Sequence, residues 1–396
     1  MEIYADNAAT TKMSKTAINA MLPYMEEIYG NPSSLHTTGQ IAAEHLLDAR
    51  ERIAKCIGAE TNEIYFTSGG SEADNQAIIS AAKNGAKKNK KHIISTAFEH
   101  HAVLHTLNKL EKEGFEIELL SVGKTGTVTA EQVKEAIRED TCLVTIMYAN
   151  NEIGSILPIS EIGAVCKEIG VTFHTDAVQA AGHVHINVKE QNIDLLSLSA
   201  HKFHGPKGIG VLYARKGILL TNIIEGGGQE RGKRAGTENI PAIMGMAAAL
   251  EEAVNNLDKN SEKLTKLRDK LISGLSEIPH STLNGDPVNR LPGNVHFIFE
   301  GIEGESLLLL LDAKGIRASS GSACTSGSLD PSHVLLSIGH PHEIAHGSVR
   351  LTFSEENTEE EIDYILKAVP EVVSYLRNMS PLWRDKVNGI KPFVLQ

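Results

Sequence analysis

Short β-branched or apolar runs alternate with longer stretches of helical periodicity through the first half of the chain. Residues 63–67, 92–95, 116–120, 143–147, 171–174 and 193–197 have the length and composition of strands. Between several of them, segments such as 102–110 and 159–166 repeat apolar residues at three- and four-residue spacing, which predicts helices. Strands that alternate with helices in this way predict βα units and a mostly parallel sheet. One long helical stretch, 240–275, follows and includes the charged run 258–270. The pattern then resumes with 294–298, 305–311 and 347–353, and closes on a helix near 359–376. The prediction is an α/β chain with a large domain to about residue 258 and a smaller α/β domain after it.

Composition narrows the picture. A chain of 396 residues, 41% of them hydrophobic, can bury a sizeable core and has the length of two or three domain units. Formal net charge is −12, and no long basic segment is present, so a nucleic-acid surface is not the main business of the chain. The lysine cluster 83–91 reads as a solvated helix C-terminus, where cations suit the helix dipole. No apolar run reaches the about 18 residues of a spanning helix, and the acidic N-terminus lacks the pattern of a signal peptide. Cys56, Cys142, Cys166 and Cys324 form no C-x-x-C pair and no disulfide framework, so a reduced, cytoplasmic enzyme is expected.

The residues that carry chemistry follow the predicted strands, where open α/β sheets bind their ligands. After the strand ending at Thr67 comes Ser68-Gly-Gly-Ser-Glu72, small residues leading into a helix. Such a turn can cradle a phosphate with backbone N–H groups and the Ser71 hydroxyl; taken alone it reads rather as an ordinary glycine turn with Ser71 as N-cap, because N-cap Ser is so common. Asp176 ends the next informative strand, with Gln179 one helical turn on. It either caps a helix or holds a proton on a heterocyclic ring nitrogen, as pyridoxal phosphate chemistry requires. Ser199-Ala-His-Lys202 follows another buried strand, and a lysine so placed is either an unusual structural one or a Schiff-base lysine. A phosphate cradle, a ring-nitrogen acid and an amine at successive strand ends make a coherent aldehyde-cofactor site.

The same stretches resemble the class-V aminotransferase-like cysteine desulfurases of the NifS/IscS-like subgroup. The resemblance runs through Asp6-Asn-Ala-Ala-Thr-Thr11, Gly30-Asn-Pro-Ser-Ser34, Thr67-Ser-Gly-Gly-Ser-Glu72, Glu99-His100 and Asn150-Asn-Glu-Ile-Gly154. It continues through His174-Thr-Asp-Ala-Val-Gln179, Ser199-Ala-His-Lys202, Gly226-Gly-Gly-Gln-Glu-Arg-Gly232, Arg234-Ala-Gly-Thr237, Ser319-Ser-Gly-Ser-Ala-Cys324 and Arg350. It implies a pyridoxal-phosphate-dependent transferase of fold type I, with a mostly parallel seven-stranded sheet in a large cofactor-binding domain, 14–258. A small domain, 1–13 with 259–396, would carry the cysteine loop.

By position, the resemblance assigns Lys202 to the cofactor aldehyde, Asp176 to the ring nitrogen, Gln179 to the phenolic oxygen and His100 to the ring face. It assigns Gly70, Ser71, Ser199 and His201 to the phosphate, with Thr237 reaching it from the partner in a homodimer. Ser71 stands where the family more often has Thr, and the hydroxyl is kept. Asn151, also a cofactor contact, and Arg350 would bind the substrate carboxylate. The implied reaction turns L-cysteine into L-alanine, with a persulfide on Cys324 that passes to an acceptor such as an iron–sulfur scaffold protein.

Cys324 sits among small polar residues, as an exposed nucleophilic thiol would. Cys56, Cys142 and Cys166 lie in apolar patterns that suit packing. His333, His340, His342 and His346 are crowded, but no Cys or carboxylate completes a metal-ligand spacing, so no metal is expected. Three other readings are open at this point. A transaminase or β-lyase would use Lys202 without Cys324, a selenocysteine lyase would differ in substrate, and a non-catalytic regulator would hold no cofactor.

Overall fold

The computed structural model describes residues 1–321 and 331–395. In chain order the first elements are β1 (Ile3–Tyr4), α1 (Lys15–Glu26), α2 (Thr37–Cys56), β2 (Ile64–Thr67), α3 (Gly70–Ala86), β3 (His92–Thr96) and α4 (His101–Lys112). Next come β4 (Glu116–Leu120), α5 (Ala130–Ala136), β5 (Thr141–Thr145), α6 (Ile159–Ile169), β6 (Thr172–Asp176), β7 (Leu195–Ser199) and β8 (Gly210–Ala214). A short turn, α7 (Gln229–Gly232), leads to α8 (Ile240–Asn255), α9 (Leu257–Leu275), β9 (Ser281–Leu283), β10 (Asn294–Phe299), α10 (Gly304–Ala313) and β11 (Ile316–Arg317). The last elements are α11 (His333–Ser337), α12 (His342–Ala345), β12 (Ser348–Thr352), α13 (Glu359–Met379) and α14 (Pro381–Val387).

Seven strands form one sheet in the order β2-β8-β7-β6-β5-β3-β4. All neighbours are parallel except β8, which runs antiparallel to both β7 and β2. A parallel return needs a long crossover, and the short link from β7 to β8 turns the chain straight back. Successive strand residues point to opposite faces. Ile93, Leu143, Leu195 and Leu212 join one core with apolar residues of α3 and α4. Their neighbours Ile94, Val144, Leu196 and Val211 join another with residues of α2, α6 and α8. Burial on both faces explains why these strands read as continuous apolar runs.

A third core joins α9, α10 and α13 to β10 and β12. Its antiparallel sheet has the order β12-β10-β9, and β1 pairs with β11 in a separate two-stranded ladder. The single helix expected over 240–275 is in fact two. Asn256 ends α8 outside helical geometry, at φ −104° and ψ 5°, and its side-chain amide donates to Glu252 O (2.8 Å). The strand expected at 143–147 begins two residues earlier, at Thr141, and the unforeseen β8 lies among glycines that masked it. Among the described residues no helix is long and apolar enough to cross a membrane.

Candidate active site

The C-terminal ends of β2, β3, β6 and β7 open onto a cavity of about 230 Å³. Gly70, Ser71, His100, Asn151, Asp176, Gln179, Ser199, His201, Lys202 and Arg350 all line it. Of the residues singled out in the sequence, Thr237 is exposed and is not among the lining residues. Cys324 lies outside the described residues.

At one end, α3 begins at Gly70 with Gly69 as N-cap and no side-chain cap. Ser71 is therefore inside the first turn, and the reading of it as N-cap falls away. The first-turn N–H groups of a helix have no intrahelical acceptor and favour an anion. A side chain at Gly70 would bring its Cβ within 2.6 Å of Val178 Cγ2, so the backbone there lies tight against the neighbouring turn. Glu72, the acid in this turn, is occupied by Arg234 Nε (3.0 Å) and by the Ser68 N–H (2.7 Å). His201 Nδ1 lies 3.1 Å from Thr10 Oγ1, and burial, then the neighbouring Lys202, pushes its pKa down to about 4.

Asp176 and Lys202 come from adjacent strands at the cavity floor. Asp176 Oδ1 accepts the Val178 N–H (2.9 Å), and burial pushes the carboxyl up to about 6 against that bond and the Lys202 charge. Lys202 follows β7 in a turn of 3₁₀ helix, and its Nζ donates to the carbonyls of Ala8 (2.6 Å) and Ala9 (2.8 Å). Gln179 Nε2 donates to the same Ala8 carbonyl (3.0 Å).

Sequence reasoning missed Asp74, which lines the cavity from the first turns of α3 and is 1% exposed. Its Oδ1 has no hydrogen-bond partner among the described residues and lies 3.6 Å from His174 Nε2. Burial, and then Asp176, holds its pKa well above the usual carboxylate range. Its sequence neighbourhood reads as an ordinary polar helix start, so no signal marked it.

His100 is the N-cap of α4, and its Nδ1 accepts the Ala102 N–H (3.1 Å). That bond leaves the ring proton on Nε2. Burial, then Lys202 and the neighbouring His101, His333 and His105, pushes His100 down to about 4, so the ring is neutral at pH 7.

At the far end Arg350, 1% exposed on β12, donates from Nη1 to Asn151 O (2.9 Å) and from Nη2 to Asp6 Oδ1 (3.1 Å). Its Nε is buried with no partner among the described residues. Asp6 and the carbonyls of Ala8 and Ala9 were visible in the sequence only as an undecoded N-terminal motif.

A buried carboxylate and a lysine on neighbouring strand ends share one cavity with a helix N-terminus, as in the active site of an α/β enzyme. The chain belongs to the aminotransferase class-V family, whose model matches residues 3–365. It is 55% identical over 387 residues to the cysteine desulfurase IscS of Clostridium botulinum, covering 97% of each chain. It is 56% identical over 380 residues to that of Methanosarcina thermophila, covering 96% of this chain and 94% of the relative. A solved structure described as a NifS-like protein superimposes with a TM-score of 0.89 at 39% identity, covering 95% of this chain and all of the other.

Proposed function

We propose that the chain is a pyridoxal-phosphate-dependent cysteine desulfurase, which converts L-cysteine to L-alanine and keeps the sulfur as a persulfide on Cys324. The observation that carries this reading is the convergence of Lys202, Asp176, His100 and Arg350 on one cavity. The donor set fits the cofactor. The helix start at Gly70 and Ser71, with Ser199 and His201, suits its phosphate, and Thr237 is assigned to the phosphate of the partner subunit. Asp176 suits its ring nitrogen and Gln179 its phenolic oxygen, while the neutral ring of His100 suits its face. Lys202 suits its aldehyde carbon. Bound there, pyridoxal phosphate supplies an electron sink that acidifies the Cα–H bond of an amino acid.

The substrate carboxylate is assigned to Arg350 and Asn151, since the buried Nε–H of Arg350 has no partner among the described residues and a carboxylate oxygen would accept from it. Lys202 moves the proton at Cα. The Cys324 thiolate then attacks the sulfur of the bound cysteine. A sulfur–sulfur bond forms, the Cβ–S bond breaks, and Cβ takes up the electron pair and a proton to give alanine. Sulfur is oxidised to the persulfide level and Cβ is reduced, so thiol plus cysteine gives persulfide plus alanine with no outside oxidant. His100 carries protons between the thiols and solvent.

The reading extends to a large domain, 14–258, a small one, 1–13 with 259–396, a homodimer, a cytoplasmic location and an iron–sulfur scaffold as persulfide acceptor. Mass spectrometry after brief exposure to L-cysteine tests its core. One added sulfur on Cys324, with matching alanine, is the expected result. Cys324→Ala should abolish both the adduct and multiple turnover, and Lys202→Ala should lose the absorbance of bound cofactor. Alanine release by Cys324→Ala at the wild-type rate would replace the proposal with a β-lyase.

A further inference from the structure

We infer that Arg234 is a positioning residue for the phosphate cradle: it neutralises Glu72 in the first turn of α3, so that the turn receives a phosphate-bearing cofactor in preference to one without a phosphate. The inference rests on the cofactor site proposed above.

An acid in that turn has two opposed effects. Near a helix N-terminus a carboxylate is stabilising, because it meets unpaired N–H groups and the positive end of the dipole. The same charge works against an anion bound at the same turn. Glu72 stands in this position, directly after Ser71, and its Oε2 accepts the Ser68 N–H (2.7 Å). Its side chain is 8% exposed and does not line the cavity, so it lies behind the turn and acts on the site through its charge. Burial alone would raise its pKa, but the hydrogen bonds from Arg234 and Ser68 outweigh burial and hold the carboxyl below its ordinary value. Glu72 is therefore ionised at pH 7.

Arg234 supplies the opposite charge. Its Nε lies 3.0 Å from Glu72 Oε1 and its Nη2 3.5 Å from Oε2, so the planar guanidinium meets both carboxylate oxygens. Among the described residues no other Lys or Arg forms an ion pair with Glu72. The segment that carries Arg234 is fastened to both elements that flank the cradle. On α3, Gln76 Nε2 donates to Lys233 O (2.7 Å). On β2, the Phe66 N–H donates to Glu230 Oε2 (2.9 Å), and Arg231 Nη2 donates to Ile64 O (2.7 Å). Both Nη groups of Arg50, on α2, donate to the Glu230 carboxylate (2.7 Å each). Glu230 and Arg231 have φ +46° and +56°, a region that a non-glycine residue keeps only where its surroundings hold it. These bonds hold the strained turn, and the turn sets Arg234 against Glu72.

The test compares pyridoxal phosphate with pyridoxal, which keeps the ring and the aldehyde and lacks the phosphate. Each is titrated into the stripped full chain and followed by absorbance. Arg234→Gln leaves the Glu72 charge uncompensated, so it should weaken pyridoxal phosphate by about tenfold or more and leave pyridoxal within about twofold. Glu72→Gln, whose amide oxygen still accepts the Ser68 N–H, should bind pyridoxal phosphate at least as tightly as wild type. Combining the two substitutions removes both charges and should return the affinity to within about threefold of wild type. An equal loss for the two compounds in Arg234→Gln means a structural role and overturns the inference. A double variant as weak as Arg234→Gln overturns it too, since the guanidinium then touches the phosphate directly or its loss displaces Thr237. If Arg234→Gln fails to fold, Arg234→Lys decides: it keeps the charge and should stay within about threefold, and a loss of about tenfold overturns the inference. A wild-type chain that takes up neither compound overturns the cofactor reading, and this inference with it. One that binds the cofactor but makes no persulfide overturns the desulfurase reading alone.

Discussion

Glu99 shows how much electrostatic work is done one layer behind the cavity. Its side chain is 0% exposed, and Oε1 accepts from the Thr96 hydroxyl (2.6 Å) and the Met147 N–H (3.0 Å). Oε2 has no partner among the described residues. Burial pushes its pKa to about 8, against the two donors, and the charge of Asp176 pushes the same way. A carboxyl raised in the folded state stabilises fully below its unfolded pKa, and that contribution is lost as pH rises through the folded value. Between about pH 4.5 and pH 8, wild type should therefore lose a few kcal/mol relative to Glu99→Gln, which has no proton to give up. Urea unfolding of both proteins at pH 5.5, 6.5 and 7.5 checks this, and a constant difference across the series would refute it. Asp176 and Lys202 stood out in the sequence because a charge directly after an apolar strand is unusual. Asp74 and Glu99 did not, because a carboxyl at a helix start is common and only packing reveals that water is absent.

Among the elements, α3 bears most on ligand binding. Its first turn faces the cavity while its apolar side packs on the sheet, so a change in its seat is transmitted to the assigned phosphate donors. Gly70→Ala would force a methyl to within 2.6 Å of Val178 Cγ2. Overpacking of that kind costs about 1–3 kcal/mol. Part of that cost should appear as cofactor affinity weakened by about tenfold, measured by titrating the stripped protein with pyridoxal phosphate and following absorbance. Unchanged affinity would mean that the turn shifts freely. The βα alternation, the parallel sheet and the strand ends that build the cavity were legible in the sequence, because burial on both faces leaves long apolar runs. The break at Asn256 was not, since apolar periodicity continues through it and only a local side-chain bond to Glu252 marks the end of α8. The antiparallel β8 was hidden for a different reason, because glycines surround its short apolar run, and its direction follows from the short link that carries Lys202.

Across the whole molecule, contacts between distant parts of the chain decide which surfaces hold together. The segment after α13 folds back onto the third core. Lys386, side chain 2% exposed, meets Glu300 Oε1 at 2.7 Å and Glu343 Oε1 at 3.0 Å, and donates to Pro392 O (3.0 Å). Glu300 also accepts the N–H groups of Val394 and Leu395 (2.8 Å each), and Phe393 stacks on His280 with ring centroids 3.7 Å apart. Lys386→Ala should cost about 3 kcal/mol, because Glu300 keeps a buried charge without its cation. Urea unfolding measures it, and a loss under 0.5 kcal/mol, the scatter of ordinary surface substitutions, would refute the pairing.

The cavity depends on an even longer reach. Asp6 holds Arg350, Ala8 N donates to Thr352 Oγ1 (2.9 Å), and the carbonyls of Ala8 and Ala9 hold Lys202. During synthesis these early residues leave the ribosome long before their partners at 350 and 352 exist. The pocket can therefore be completed only after nearly the whole chain has emerged. Completion of the pocket then comes late in synthesis, and a chain stalled before β12 would lack Arg350, the residue assigned to the substrate carboxylate.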